Sequence, residues 1–171
     1  RHGLDSAFEN IVGIVVQPGV EFGDDGFFRY DREKAKALMT AARSVPGLVL
    51  EGHSTDYQPR EALREMVADG VAILKVGPAL TFALREGLFA LSDIERELIP
   101  PEERADFPAV LERLMLENDS NWRRHYHGTP EELRLKRKYS LSDRCRYYLS
   151  APEARSAVEK LFANIDGVSV P

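Results

Sequence analysis

A single cysteine, Cys145, stands among the 171 residues, which excludes an internal disulfide framework and a cysteine-rich metal site. No apolar run approaches the roughly 18 residues that a membrane-spanning helix needs, and the amino end, from Arg1 to Ser6, has no stretch like a secretion signal. Neither charge sign dominates: 23 basic residues stand against 28 acidic ones, mixed along the chain for a net charge of -5, so no broad cationic face is offered to nucleic acid. Also missing are the Gly-x-x-x-x-Gly-Lys-Ser/Thr loop, the Gly-x-Gly-x-x-Gly turn and the Gly-x-Ser-x-Gly elbow. With them go the usual sequence warrants for a P-loop kinase, a dinucleotide enzyme and a serine hydrolase. A cytoplasmic globular protein without nucleic-acid or membrane partners is the expectation.

The residues present describe alternating strands and helices. A hydrophobic content of 43% suffices for a real core. The β-branched run from Ile11 to Val16 reads as a strand, and the Gly- and Asp-rich segment from Gln17 to Gly26 as its loop. From Asp31 to Val45, Ala35, Leu38, Met39, Ala42 and Val45 recur at helical spacing until Pro46-Gly47 stops the pattern. Leu48 to Glu51 predicts a second strand, and Pro59 opens a helix whose inward positions are Ala62, Leu63, Met66 and Val67. A third strand runs from Val71 to Val76. A long helix follows from Ala79 to Ile99, apolar nearly all round at its start, so that its first turns are expected to be buried.

Continuously aliphatic strands joined by helices through short connections signal parallel βαβ units. Beyond Pro100-Pro101 the pattern turns mostly helical: a helix from Phe107 to Glu117, a loop from Asn118 to Tyr126, a last helix from Pro152 to Ile165, and the start of a further strand at Val168-Ser-Val170. We read residues 1–171 as a single α/β domain, with βα units over 1–99 and the helical remainder over 100–171. A closed TIM (β/α)8 barrel takes eight strands and at least about 200 residues, so only part of one is represented. The start at Arg1 instead of Met, close before the first strand, leads us to expect further residues upstream.

Ionisable residues fall where strands stop, which is where α/β barrels build sites. Glu51 and His53 are two apart and share a side if the strand continues, with Asp56 able to fold back over them. The plainer alternative makes residues 53–56 a capping turn before the helix at Pro59. The loop offers too few ligands for a catalytic metal, and His125 and His127, beside Arg123 and Arg124, read as solvent-exposed; no metal site is expected. Lys75 stands one residue before the end of an otherwise aliphatic strand. A desolvated amine there is suited to a Schiff base with a carbonyl substrate, with pairing to Glu51 or binding of a substrate oxygen as alternatives. Between Tyr139 and Tyr148, Ser142 and Arg144 suit a phosphate. A helix capped by Ser142, with Asp143 in its first turn, is the competing account. Cys145 reads as a small buried residue.

Four segments, Val15 to Phe22, Glu51 to Gln58, Ala72 to Glu86 and Tyr139 to Tyr148, resemble the family of the non-catalytic Z-type subunit of class II D-tagatose-1,6-bisphosphate aldolase, which also carries the older label tagatose 6-phosphate kinase. The resemblance implies an aldolase-type TIM barrel, of which this chain is the later portion. It further implies a chaperone-like accessory subunit that supports the activity and stability of a separate, zinc-dependent catalytic subunit in galactitol or N-acetylgalactosamine breakdown. No cofactor is then expected in this chain. A sugar phosphate is the expected ligand, with Gln17, His53, Asp56, Lys75, Ser142 and Arg144 as binding candidates and Lys75 and Glu51 as catalytic ones. A sugar-phosphate enzyme in its own right, a Schiff-base aldolase or a kinase, stays open, as does association with further copies of itself.

Overall fold

The computed structural model describes residue 3 and residues 5–45 and 47–166. The chain divides into two compact units, Arg1–Gly77 and Pro78–Pro171.

The first unit opens with a short helix, α1 (Asp5–Phe8), before strand β1 (Gly13–Val16). The segment expected to be a plain loop contains a small antiparallel ribbon, β2 (Glu21–Phe22) with β3 (Phe27–Phe28). Helix α2 (Arg32–Arg43) begins where the Asp31 side chain accepts hydrogen bonds from the Glu33 and Lys34 amides. Strand β4 (Val49–Gly52), helix α3 (Arg60–Ala68) and strand β5 (Val71–Leu74) complete two βαβ crossovers. Gly70, at φ +107, takes the left-handed conformation that ends α3 without a Cβ penalty.

The resulting three-stranded sheet is parallel throughout, in the order β1-β4-β5. One face packs on a core of Val20, Tyr30, Ala35, Met39, Leu50, Ala62, Met66 and Val71, joined by Val16 and Leu74. Val67, expected to face inward, is 56% exposed instead, because α3 turns only a narrow stripe centred on Ala62 and Met66 to the sheet.

In the second unit, α4 (Pro78–Leu98), α5 (Phe107–Glu117), α6 (Pro130–Tyr139) and α7 (Pro152–Ile165) enclose a core containing Leu88, Phe107, Leu111, Met115, Trp122, Tyr126, Tyr148 and Leu161. Short 3-10 turns lie at Pro101–Glu103, Asp119–Asn121 and Arg144–Tyr147. Helix α6 falls in the mostly helical region, in a stretch to which the sequence reading assigned no particular element. Its warrant is the reciprocal capping box of Thr129 and Glu132 ahead of Pro130, a signal present in the sequence.

The first turns of α4 are not buried as expected. Leu80 and Leu84 are 66% and 55% exposed, while the inward stripe is Arg85, Leu88, Ser92 and Glu95. Hydrophobicity alone misplaces this helix because its buried face carries Arg85 and Glu95, which bond to residues distant in sequence. The strand expected at Val168–Val170 lies outside the described residues.

Candidate functional site

Strand register builds the first half of the site. Val16 of β1 pairs with Gly52 of β4, and Gly52 with Leu74 of β5. Gln17, His53 and Lys75 are the next residues on the three strands, so they form a row across the carboxyl edge of the sheet. Backbone bonds continue the ladder into that row, from the His53 amide to the Val16 carbonyl at 2.9 Å and from the Lys75 amide to the Gly52 carbonyl at 3.0 Å. Val16 and Leu74 pack on the helix-side core, and side chains alternate along a strand. The row therefore faces away from the helices, with Glu51 one layer behind it.

An irregularity in β5 matters here. Leu50 pairs with Val71 but Glu51 pairs with Ile73, so Ala72 is an extra residue. Val71 is buried against the helices. Strict alternation from Val71 would turn Ile73 and Lys75 to that same side, whereas the bulge reverses the phase and aims Lys75 with Glu51 and His53.

The Nε2–H of His53 donates to Glu51 Oε1 at 2.7 Å. A carboxylate only accepts, so this contact assigns the ring proton to Nε2 and leaves Nδ1 as the basic nitrogen of the neutral ring. Gln17 donates to Glu21, to the Val20 carbonyl at 3.2 Å and to Ser54 Oγ at 3.4 Å, which ties the row to the loop after β4. Lys75 is exposed and makes no ion pair among the described residues; the partner of Glu51 is His53. Asp56 is buried, and its Oδ1 accepts the Gly77 amide at 2.8 Å.

Ser142 and Arg144 belong to the second unit and are bonded within it. The Ser140 and Ser142 hydroxyls lie 2.9 Å apart, and the Arg144 amide donates to the Tyr126 hydroxyl at 3.2 Å. Arg144 Nη1 donates to the Asn121 carbonyl at 3.1 Å. Ser142 does not cap a helix. The turn that follows begins at Asp143, in the left-handed conformation at φ +44 and with no side-chain cap. Asp143 is fully sealed: Arg85 Nε donates to its Oδ1 at 3.0 Å and Thr81 Oγ1 to its Oδ2 at 2.6 Å.

Cys145 is buried beside this carboxylate. Burial, reinforced by the Asp143 charge, pushes its thiol far above the ordinary range and keeps it out of nucleophilic chemistry at neutral pH. His125 and His127 are exposed, as expected. Among the described residues there is no group of three or more His, Cys, Asp and Glu side chains placed to hold a metal, and no helix long and apolar enough to cross a membrane.

Sequence position singled out Glu51, His53 and Lys75 at strand ends, and Gln17 was a candidate only through the family resemblance; the structure brings the four to one side of the sheet. Sequence reasoning missed Thr55, whose hydroxyl donates to the Lys75 carbonyl at 2.7 Å, and the Arg85–Asp143 pair. Nothing local distinguishes an Asp or Thr that closes on a segment some 20 or more positions away.

Known proteins resemble the chain along its whole length. A D-tagatose 6-phosphate 4-epimerase of Agrobacterium fabrum is 48% identical over 171 residues, all of this chain and 40% of that protein. The D-tagatose-1,6-bisphosphate aldolase subunit GatZ of Klebsiella pneumoniae is 48% identical over 169 residues, 99% of this chain and 40% of that subunit. The crystal structure of a probable tagatose 6 phosphate kinase from Sinorhizobium meliloti 1021 superimposes with a TM-score of 0.93 at 50% identity, over 99% of this chain and 44% of that one. The chain thus spans about two-fifths of the length of these relatives. The family model for D-tagatose-1,6-bisphosphate aldolase subunit GatZ/KbaZ-like proteins matches residues 1–171, and the chain belongs to that family.

Proposed function

We propose that this chain is the later part of a Z-type subunit that binds and stabilises a catalytic class II D-tagatose-1,6-bisphosphate aldolase subunit. The observation that carries the reading is the family match over residues 1–171, joined by the GatZ relative at 48% identity. In this reading the parallel sheet is one sector of an aldolase-type TIM barrel, and the row of Gln17, His53 and Lys75 lines its mouth as a sugar-phosphate pocket. The zinc of the reaction belongs to the catalytic partner. Both proteins act in the cytoplasm, in tagatose 6-phosphate catabolism fed by galactitol or N-acetylgalactosamine. Co-expression with a catalytic tagatose-bisphosphate aldolase subunit tests this: the full-length protein should raise that subunit's activity and its melting temperature. If neither moves, the accessory reading fails.

A second reading has its own support. His53, oriented through Nε2 by Glu51, presents a basic nitrogen on the same sheet face as the Lys75 ammonium. A base beside a cation suits proton transfer at a carbon or hydroxyl next to a polarised sugar oxygen, and the Agrobacterium relative is named an epimerase acting on D-tagatose 6-phosphate. Under this reading the full-length protein interconverts ketose 6-phosphates unaided, and His53→Ala lowers turnover by the factor of about 100 to 10,000 typical of a lost general base. Borohydride trapping with a ketose phosphate separates the routes: a covalent adduct at Lys75 assigns a Schiff base, and turnover without an adduct assigns Lys75 to cation duty. Phosphoryl transfer from a nucleotide is the reading with least support, since the chain offers no phosphate-cradling glycine motif.

A further inference from the structure

We propose that Thr55 and Asp56 are positioning residues that clamp the exit of β5 and so set the direction of the Lys75 amine. This rests on the strand-end row being a ligand site, whether the protein works alone or with a partner.

The two side chains are each 2% exposed and grip the same three-residue segment from opposite ends. The Thr55 hydroxyl donates to the Lys75 carbonyl at 2.7 Å, and the Gly77 amide donates to Asp56 Oδ1 at 2.8 Å. Strand pairing has ended at Leu74, so these bonds, with the Lys75 amide bond to Gly52, replace the ladder over residues 75–77. The amine itself lies over the clamped glycine. A Cβ at Gly77 would stand 3.5 Å from Lys75 Nζ and 3.8 Å from Asp56 Oδ2.

The clamp is also held in a conformation that the chain does not choose by itself. Ser54 and Tyr57, the residues on either side of Thr55 and Asp56, have φ of +56 and +62, and neither is glycine. Two left-handed residues in one short loop persist only where the surroundings over-determine them, and such strain collects at functional sites. A capping turn for α3 does not require this. The N-cap is Pro59, which makes no side-chain capping hydrogen bond. Bulge and clamp thus act in series: the extra residue in β5 turns Lys75 to the Glu51–His53 side, and Thr55 with Asp56 fixes it there.

The test is reductive methylation of the full-length protein with formaldehyde and a borane, scored lysine by lysine by mass spectrometry. Lys34, whose side chain is 82% exposed, serves as the internal reference. Thr55→Val and Asp56→Ala should raise the methylation of Lys75 relative to Lys34 several-fold, while Thr55→Ser and Asp56→Asn, which keep the hydroxyl and the carbonyl oxygen, should match the wild type. Should Asp56→Asn and Asp56→Ala change Lys75 equally, Asp56 acts through its charge and the clamp is overturned. Wild-type reactivity in Thr55→Val overturns it as well. If Asp56→Ala does not fold, the Thr55→Val and Thr55→Ser pair decides alone. Protection of Lys75 by added tagatose 6-phosphate reports separately on the ligand site, so loss of protection with intact variant effects refutes the site and leaves the clamp standing.

Discussion

In the strand-bearing unit, Gln17, His53 and Lys75 stand along one open edge of a sheet, whereas in the helical unit Arg85, Glu95 and Asp143 are sealed among apolar side chains. The residue types are alike and their uses are opposite. Glu95 spends its carboxylate on the Ala105 amide at 2.8 Å and on the Asn164 side chain, closing the turn between α4 and α5. Arg85 spends Nε on Asp143 and lays its guanidinium 4.3 Å over the Phe82 ring and 5.3 Å from that of Phe89. Polar side chains in one unit stand open along the sheet's carboxyl edge. In the other they are buried within an apolar core and bonded inside it.

The largest effect should come from breaking the sealed pair. Arg85→Met leaves the Asp143 carboxylate in a dry interior with Thr81 and Cys145 as its remaining side-chain donors among the described residues. Removing one partner of a buried ion pair costs about 3–5 kcal/mol. Urea denaturation followed by the fluorescence of Trp122, the one tryptophan and a core residue of the helical unit, reads this directly. Lys75→Met in the open row should stay within about 0.5 kcal/mol of wild type, as exposed substitutions do. Equal losses for the two variants would erase the contrast between the units.

A smaller effect tests the apolar side of the comparison within a single helix. Met66 is wholly buried under the sheet, and its neighbour Val67 is largely exposed. Met66→Ala should cost about 2–5 kcal/mol, and Val67→Ala no more than about 0.5 kcal/mol. Circular dichroism during chemical denaturation measures both. A costly Val67→Ala would mean that the outer face of α3 is covered in solution.

The same contrast explains which features the sequence disclosed. Aliphatic runs placed β1, β4 and β5 within a residue or two, because a parallel strand buried on its helix side must be apolar. Helices α5 and α7 were legible in full, since each buries an ordinary apolar stripe. Helix α4 was misread in its first turns because its inward stripe runs Arg85, Leu88, Ser92 and Glu95, and partners distant in sequence hold Arg85 and Glu95 inside. Gln17 entered only through the family resemblance, whereas Glu51, His53 and Lys75 could be placed near one another from position alone. The phase of Lys75 could not, because it depends on the extra residue at Ala72, and a bulge leaves no mark in a run as uniform as Val71-Ala-Ile-Leu74.

The smallest effect lies on the helix side of the sheet, where a tyrosine of the first unit's core makes a polar contact. Tyr30 is part of its core, and its hydroxyl donates to Asp69 Oδ2 at 2.9 Å. Asp69 also accepts from Arg32 Nε at 3.0 Å. Burial, then the hydrogen bond and charge of Asp69, pushes the Tyr30 hydroxyl from its ordinary 10.0 up to about 12. Its folded value lies above its unfolded one, so the folded state keeps the proton longer. The stability it contributes is whole below pH 10 and drains away as pH rises towards about 12. Asp69 has the opposite sign: the Arg32 hydrogen bond, foremost, holds it below the usual carboxylate range, so its contribution is present above pH 3.8 and disappears on further acidification. Tyr30→Phe should therefore cost about 1 kcal/mol at neutral pH, the worth of one hydrogen bond. It should also flatten the alkaline decline and leave the acid limb, which Arg32 sustains, in place. Because burial raises the Tyr148 hydroxyl in the helical unit too, the quantity to measure is the difference in melting temperature between wild type and variant across pH 9 to 12. A difference that does not change over that interval would show that Tyr30 titrates alike in both states and that its contact with Asp69 adds no pH-dependent stability.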